Sequence, residues 1–244
     1  MLSLFKSKPK LAELIPSGYV DIHSHVLPGI DDGAQKIKDS EFLLESMIDF
    51  GFSKVITTPH TMKNVWDNTT SSIGDAYNLV HSELPELSKQ VSLQFASEYF
   101  LDENLIRLAQ QEKLLSLKDN FILIEMSYLN APIQLYDFLF ELQLKGYQLV
   151  LAHPERYNYF HSNKKEYQKL KKAGCLFQLN LLSTVGYYGK EVAETANYLL
   201  KENLYDFTGS DIHHKNHIKA FQSKIIFNND TKIMEVMKKN TFFL

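Results

Sequence analysis

The 244-residue chain is short of several things, and each shortage narrows what it can be. It has a single cysteine, Cys175, which excludes an internal disulfide framework and a cysteine-rich zinc module. A lone thiol fits a reducing, intracellular compartment. Basic residues are not in excess: 26 Lys and Arg stand against 29 Asp and Glu, a formal net charge of −3. That balance leaves nothing to neutralise a nucleic-acid backbone, so no nucleic-acid partner is expected. No run approaches the ~20 apolar residues of a membrane span. The apolar start, MLSLF, precedes Lys6, Lys8, Pro9 and Lys10, the reverse of a secretory signal. The expectation is a cytoplasmic protein without stable membrane insertion, those lysines forming a solvated tail. Repeats, low-complexity tracts and Pro/Gly/Ser-rich linkers are lacking too. The chain therefore reads as one domain over 1–244, with 1–18 as an N-terminal extension.

What is present is an alternation of short β-rich runs with longer helix-period segments. Tyr19-Val20-Asp21-Ile22-His23 opens the series, and a helix over 37–50 follows, with Gly51 as its stop. Lys54-Val55-Ile56-Thr57 is a strand ending at Pro59. Ser71 or Ser72 caps a helix reaching towards Leu87. A strand at 93–96 precedes a helix capped by Asp102. Strands at 121–124, 148–152, 175–179 and 204–208 are separated by helices over 132–145, 163–173 and 190–201. A last helix covers 232–239. Cys175 falls in a strand as a core thiol.

Seven β/α units point to a parallel sheet with covering helices, either doubly wound or closed. The polar residues choose between these. His23, His25, His60, Glu98, Glu125, His153, Asp211 and His213 lie at or just beyond the C-terminal ends of the strands, and every strand except the sixth contributes. Such ends converge only around the mouth of a barrel; an open sheet would string them along an edge. A closed (β/α) barrel with seven strands is expected.

Five of the nine histidines belong to this set. His23-Ser24-His25 places two imidazoles on one face of a strand end. Glu125 directly follows Phe121-Ile122-Leu123-Ile124, where an unpaired carboxylate costs several kcal/mol to bury. Any one of these residues alone would pass for a hydrogen-bonded structural group. Together, at converging strand ends, they would repel one another without cations. Mixed imidazole and carboxylate donors suit Mn²⁺, Fe²⁺ or Zn²⁺.

The strings DIHSHVLPGIDDGA, TTPH, ASEYF, LIEMS, LAHPERY and GSDIHH resemble the polymerase-and-histidinol-phosphatase (PHP) superfamily, over about 20–213. They are most similar to its bacterial tyrosine-protein phosphatase branch, which accompanies capsule and exopolysaccharide synthesis. The resemblance implies that the seven-stranded barrel is distorted and TIM-barrel-like, and that it holds a trinuclear site, usually Mn²⁺, with Fe²⁺, Zn²⁺ or Mg²⁺ as alternatives. It implies His23, His25, Asp32, His60, Glu98, Glu125, His153, Asp211 and His213 as ligands, Glu98 bridging. It also implies phosphotyrosine hydrolysis by a metal-activated hydroxide, on the tyrosine-rich tail of a kinase controlling polysaccharide chain length. Four carboxylates would offset four of the six charges of three divalent ions, leaving a surplus for hydroxide and phosphate ester.

Arg156 is the candidate phosphate clamp, its planar fork matching phosphoryl oxygens, against a bland surface ion pair with Glu155 or another acid. Relatives place a further arginine after the final Asp-x-His; this chain has His214, Lys215, Asn216 and His217. Lys215 or His217 is the candidate electrostatic group or general acid, against a solvated loop. Tyr128 and Tyr157 are candidates for the mouth's aromatic lining, and 64–70 for a flap beside it. His81 and His161 have no motif context. Position 181 is Leu, so Cys175 lacks the arginine six residues on that a thiolate-dependent phosphatase needs. The competing activities are hydrolysis of a small phosphomonoester such as histidinol phosphate and a metal-dependent amidohydrolase. The latter commonly needs a bridging lysine, or else a mononuclear arrangement of ligands; here Glu98 and Glu125 occupy successive strand ends and no strand-end lysine is evident.

Overall fold

The computed structural model describes residues 7–244. Its strands are β1 (Tyr19–Asp21), β2 (Phe52–Thr57), β3 (His60–Thr61), β4 (Ser92–Phe95), β5 (Glu98–Phe100), β6 (Phe121–Glu125), β7 (Gln148–Ala152), β8 (Leu176–Asn180) and β9 (Phe207–Gly209). Every pairing between them is parallel. They form two hydrogen-bonded sheets, ordered β1-β2-β4 and β3-β5-β6-β7-β8-β9.

The breaks between the sheets are local. Only Thr58-Pro59 separates β2 from β3, and only Ala96-Ser97 separates β4 from β5. Proline has no N–H to give to a ladder, so an interruption there is expected. Backbone bonds cross the breaks: Ala96 N–H donates to Thr57 O at 2.8 Å and Glu98 N–H to Pro59 O at 3.1 Å. At the other edge, Asp211 N–H donates to His23 O at 2.7 Å and His25 N–H to Ile212 O at 2.8 Å. The chain just past β1 is thus bonded to the chain just past β9.

Parallel strands need crossovers, and helices supply them. Helices Ile37–Asp49, Thr70–Glu83, Glu103–Gln111, Leu135–Leu144, Lys165–Lys172 and Lys190–Lys201 fall between successive strands. Side-chain alternation sorts the strands' apolar residues into two clusters. Ile122, Ile124, Leu149 and Leu151 join Leu43, Met47, Leu142 and Leu199 of the helices. Val20, Ile22, Ile56, Leu123, Val150 and Ala152 meet on the opposite face with Phe207 and Phe243. Both faces are buried, as an α/β protein requires.

Several expectations are corrected. The helix begun at Thr70 stops at Glu83, and Pro85 starts a separate helix, Pro85–Gln90, because proline fits a first helical turn but not an interior. Its cap is Thr69, whose hydroxyl accepts from Ser72 N–H at 3.1 Å, rather than Ser71 or Ser72. A helix at Lys215–Phe221 was not anticipated. From Lys8 on, the N-terminal extension is docked, although Lys10 is exposed: Leu11 and Leu14 are buried, Leu11 N–H donates to Ser223 O, and Lys8 Nζ donates to Ile226 O at 2.5 Å. Lys6 and the apolar start lie outside the described residues. Cys175 is buried just ahead of β8, and burial pushes its thiol up to about 12. Among the described residues no helix is long and apolar enough to cross a membrane.

Asn240 ties β1 to β9 from beneath. It is fully buried; its Nδ2 donates to Val20 O at 2.8 Å and Thr208 O at 2.7 Å, and its Oδ1 accepts from Thr208 N–H at 3.0 Å. Asn240→Leu strands three buried backbone groups, and should cost about 3 kcal/mol. Urea unfolding should show a lower midpoint at unchanged m-value; a midpoint equal to wild type would remove Asn240 from this role.

Candidate metal centre

The strands deliver their polar ends to one place. His23 and His25 lie just beyond β1, His60 opens β3, Glu98 opens β5 and Glu125 ends β6. His153 follows β7, while Asp211 and His213 follow β9. His153 and Asp211 take positive φ, +36° and +51°. A left-handed residue that is not glycine costs on the order of 1–3 kcal/mol, a strain that gathers at functional sites. Two glycines permit the close approach. A Cβ on Gly33 would lie 2.2 Å from His25 O, and one on Gly209 would lie 2.6 Å from His23 Cβ.

All nine expected ligands meet, in four overlapping groups whose donor atoms lie within 4.8 Å of one another. These are His23, Glu98 and His153; His23, His25 and Asp211; His60, Glu98 and Glu125; and His25, Asp32, His60 and His213. Glu98, fully buried, is at the centre. Its Oε2 is 3.2 Å from His23 Nε2, 3.5 Å from His25 Nε2 and 3.1 Å from His60 Nδ1. Its Oε1 is 3.0 Å from His153 Nε2. Despite that crowding, Oε2 makes no hydrogen bond to the described residues. His25 Nδ1 is engaged by Asp31 Oδ2 at 2.7 Å, so its Nε2 is turned inward, 3.3 Å from His23 Nε2. Imidazole and carboxylate donor atoms gathered this closely are what cations require.

Electrostatics agree. Burial opposes every charge here, and with Arg156 it lowers His153, but opposite partners prevail at the groups around Glu98 and Asp211. Asp31 lifts His25 up to about 10. Glu98 and Asp211 raise His23, and Glu98 and Glu125 raise His60 well above the usual imidazole range. In turn, His23 and His60 hold Glu98 well below the ordinary carboxylate range. Hydrogen bonds from His213 and His60 lower Asp32, and His23 and His213 lower Asp211. Protons occupy this cluster where divalent ions would.

The cluster floors a cavity of about 640 Å³. Trp66, Tyr128, Leu129, Tyr188 and Arg156 are among its walls. Arg156 does not pair with Glu155: its Nη1 donates to Asp211 Oδ2 at 2.8 Å, and its guanidinium lies 4.6 Å from the Tyr128 ring and 4.1 Å from the Tyr188 ring. Glu155 is instead buried, accepting from Asn180 N–H, Ser183 Oγ and Tyr205 OH. Tyr157 lies behind the wall, fully buried, donating to Ala152 O. The 64–70 segment is anchored, with Asn68 Nδ2 donating to Ile30 O and His60 O, and Trp66 stacked on His60.

Lys215 and His217 need correction. Lys215 opens a helix, is exposed and borders a separate groove, because the chain turns outward after His213. His217 does line the cavity, but burial lowers it to about 3, so near neutrality it is a neutral imidazole and not the imidazolium a general acid needs. Gln178, Asn180 and Tyr188 were not anticipated; Asp31 was marked only by its place beside Asp32, and Trp66 only as part of the 64–70 segment.

The family model described as capsular polysaccharide synthesis, CpsB/CapC, matches residues 19–234. The tyrosine-protein phosphatase YwqE of Bacillus subtilis is 30% identical over 195 residues, 80% of this chain and 77% of that protein. The tyrosine-protein phosphatase CpsB of Streptococcus pneumoniae is 25% identical over 200 residues, 80% of this chain and 82% of that protein. A crystal structure from the work on YwqE and CpsB as metal-dependent tyrosine phosphatases superposes with a TM-score of 0.77 at 28% identity. It covers 90% of this chain and 86% of the matched one.

With His25, His60 and His23 all raised, ion binding at pH 7 must displace protons. Titrating the metal-free protein with Mn²⁺ in weak buffer should release more than one proton per chain, and affinity should fall as pH falls. Binding without proton release would contradict this charge state.

Proposed function

Because the chain belongs to the CpsB/CapC capsular polysaccharide synthesis family, we propose that it is a metal-dependent phosphatase hydrolysing phosphotyrosine in proteins. The observation that carries the reading is the meeting of nine imidazole and carboxylate side chains, Glu98 among them, on the floor of a cavity walled by Arg156 and aromatic rings. His23, His25, Asp32, His60, Glu98, Glu125, His153, Asp211 and His213 would hold three divalent ions, most consistent with Mn²⁺, Glu98 bridging. The two sheets read as one distorted seven-stranded β/α barrel: β2 with β3 and β4 with β5 are interrupted runs, and bonds beyond β1 and β9 link the outer edges. One metallophosphatase domain accounts for the chain.

Bound divalent ions supply Lewis acidity to phosphoryl oxygens and lower the pKa of water. The chain's own groups do the rest. Arg156 is pre-aimed by Asp211 and the two tyrosine rings. Its remaining N–H groups make no hydrogen bond to the described residues, leaving them for phosphoryl oxygens. Trp66, Tyr128 and Leu129 offer apolar surface to an aromatic leaving group. The amidohydrolase alternative lacks support, since among the described residues no lysine lines the cavity. A cytoplasmic kinase tail that controls polysaccharide chain length is the proposed substrate.

The test is hydrolysis of a phosphotyrosine peptide by Mn²⁺-loaded protein, compared with histidinol phosphate. Chelation, His23→Ala or Glu98→Ala should abolish it and lower metal content. Activity surviving exhaustive chelation, or a large preference for histidinol phosphate, would overturn the reading. Arg156→Ala should keep its metal while turnover falls by about 10²-fold; full activity would remove Arg156 from phosphate binding.

A further inference from the structure

β8 stands apart. It lies among strands that each send a ligand candidate to the cluster, yet it sends none. It sends two amides instead. Gln178 and Asn180 are alternate residues of β8, so both leave the same face, and both are fully buried.

Neighbours with only one possible role fix how each amide is turned. Gln178 Nε2 lies 2.6 Å from Leu179 O, which can only accept, and Gln178 Oε1 lies 3.4 Å from His153 N–H, which can only donate. The oxygen therefore faces His23 Nδ1, 2.9 Å away, and His23 must carry its proton there. Its Nε2, aimed at Glu98 and Asp211, is then the nitrogen that gives up its proton to become an ion's ligand. Asn180 works in the opposite sense. Its Oδ1 accepts from Leu182 N–H at 2.9 Å, so its Nδ2 faces Asp211 Oδ2 at 2.7 Å. With Arg156 on the same oxygen, Asp211 Oδ2 is saturated, and Oδ1 is the atom left towards His23 and His25.

We infer that β8 is the aligning strand of the centre: Gln178 commits His23 to bind an ion through Nε2, and Asn180 commits Asp211 to bind through Oδ1. Both are positioning residues. The inference rests on the metal reading above. Gly209 belongs to the same arrangement, since a Cβ there would lie 2.6 Å from both Gln178 Nε2 and His23 Cβ. Partners that orient a metal-binding imidazole typically matter by 10–100-fold in affinity.

The test measures Mn²⁺ affinity by competition with a chelating dye, on wild type, Gln178→Met and Gln178→Glu. Metal retained by wild type establishes the centre independently of this inference; a wild type that retains none overturns both. Gln178→Met keeps length and burial but cannot accept the His23 proton, so its affinity should fall about 10–100-fold with the melting temperature of the metal-free protein little changed. Gln178→Glu keeps an accepting oxygen and should bind within about threefold of wild type. Wild-type affinity in the Met variant, or equal losses in the two, would overturn the inference. Should the Met variant not fold, ¹⁵N-histidine spectra of Zn²⁺-loaded wild type decide. A protonated Nδ1 and a metal-bound Nε2 on His23 support it, and ligation through Nδ1 sinks it.

Discussion

A carboxylate oxygen with no hydrogen bond, buried among three imidazole nitrogens, is the constraint on which the rest of this structure depends. Glu98 Oε2 could not persist there as a solitary charge; the desolvation cost is several kcal/mol even after relaxation. It persists because positive charge is shared around it, as protons on His23, His25 and His60 when no ion is bound. The parallel fold follows from the same need. Only strand ends that converge can bring donors from residues 23 to 213 within one another's reach, and the apolar cluster beneath, from Val20 to Phe243, leaves the donors one open side.

The backbone shows where that convergence is forced. His153 and Asp211 adopt left-handed conformations, and Gly33 and Gly209 press against the backs of the two histidines of the His-x-His pair. The strain falls on two of the donors themselves, and each glycine lies within two residues of a further donor, Asp32 or Asp211. Elsewhere the chain obeys ordinary rules: Asp102 caps its helix through Asn104 and Leu105 N–H, and Lys190–Lys201 matches its apolar period.

Much of this was legible in the sequence because a charged or imidazole side chain ending an apolar strand adds nothing to packing and must be held by a partner. Glu125 after Phe121-Ile122-Leu123-Ile124 is such a case, and His153 after β7 is another. Gln178 and Asn180 were not legible. An amide inside an apolar strand carries no charge to flag it, and its meaning depends on which end faces which neighbour across 155 residues in one case and 31 in the other. Lys215 misled for the converse reason. It follows two histidines of a motif, but its direction is set by a helix that periodicity over seven residues is too short to announce. The docked N-terminal extension was hidden by its lysines, although Leu11 and Leu14 are what bury it.

Asp211 divides its two oxygens between two tasks, one gripping Arg156 and the other facing the histidine pair. A cation settling at the inner oxygen would draw electron density away from the outer one and slacken its hold on the guanidinium. The arginine would then be freer to meet an incoming anion. Ions held by the cluster and an anion held by Arg156 would then each raise the affinity for the other by one common factor, as thermodynamic reciprocity demands.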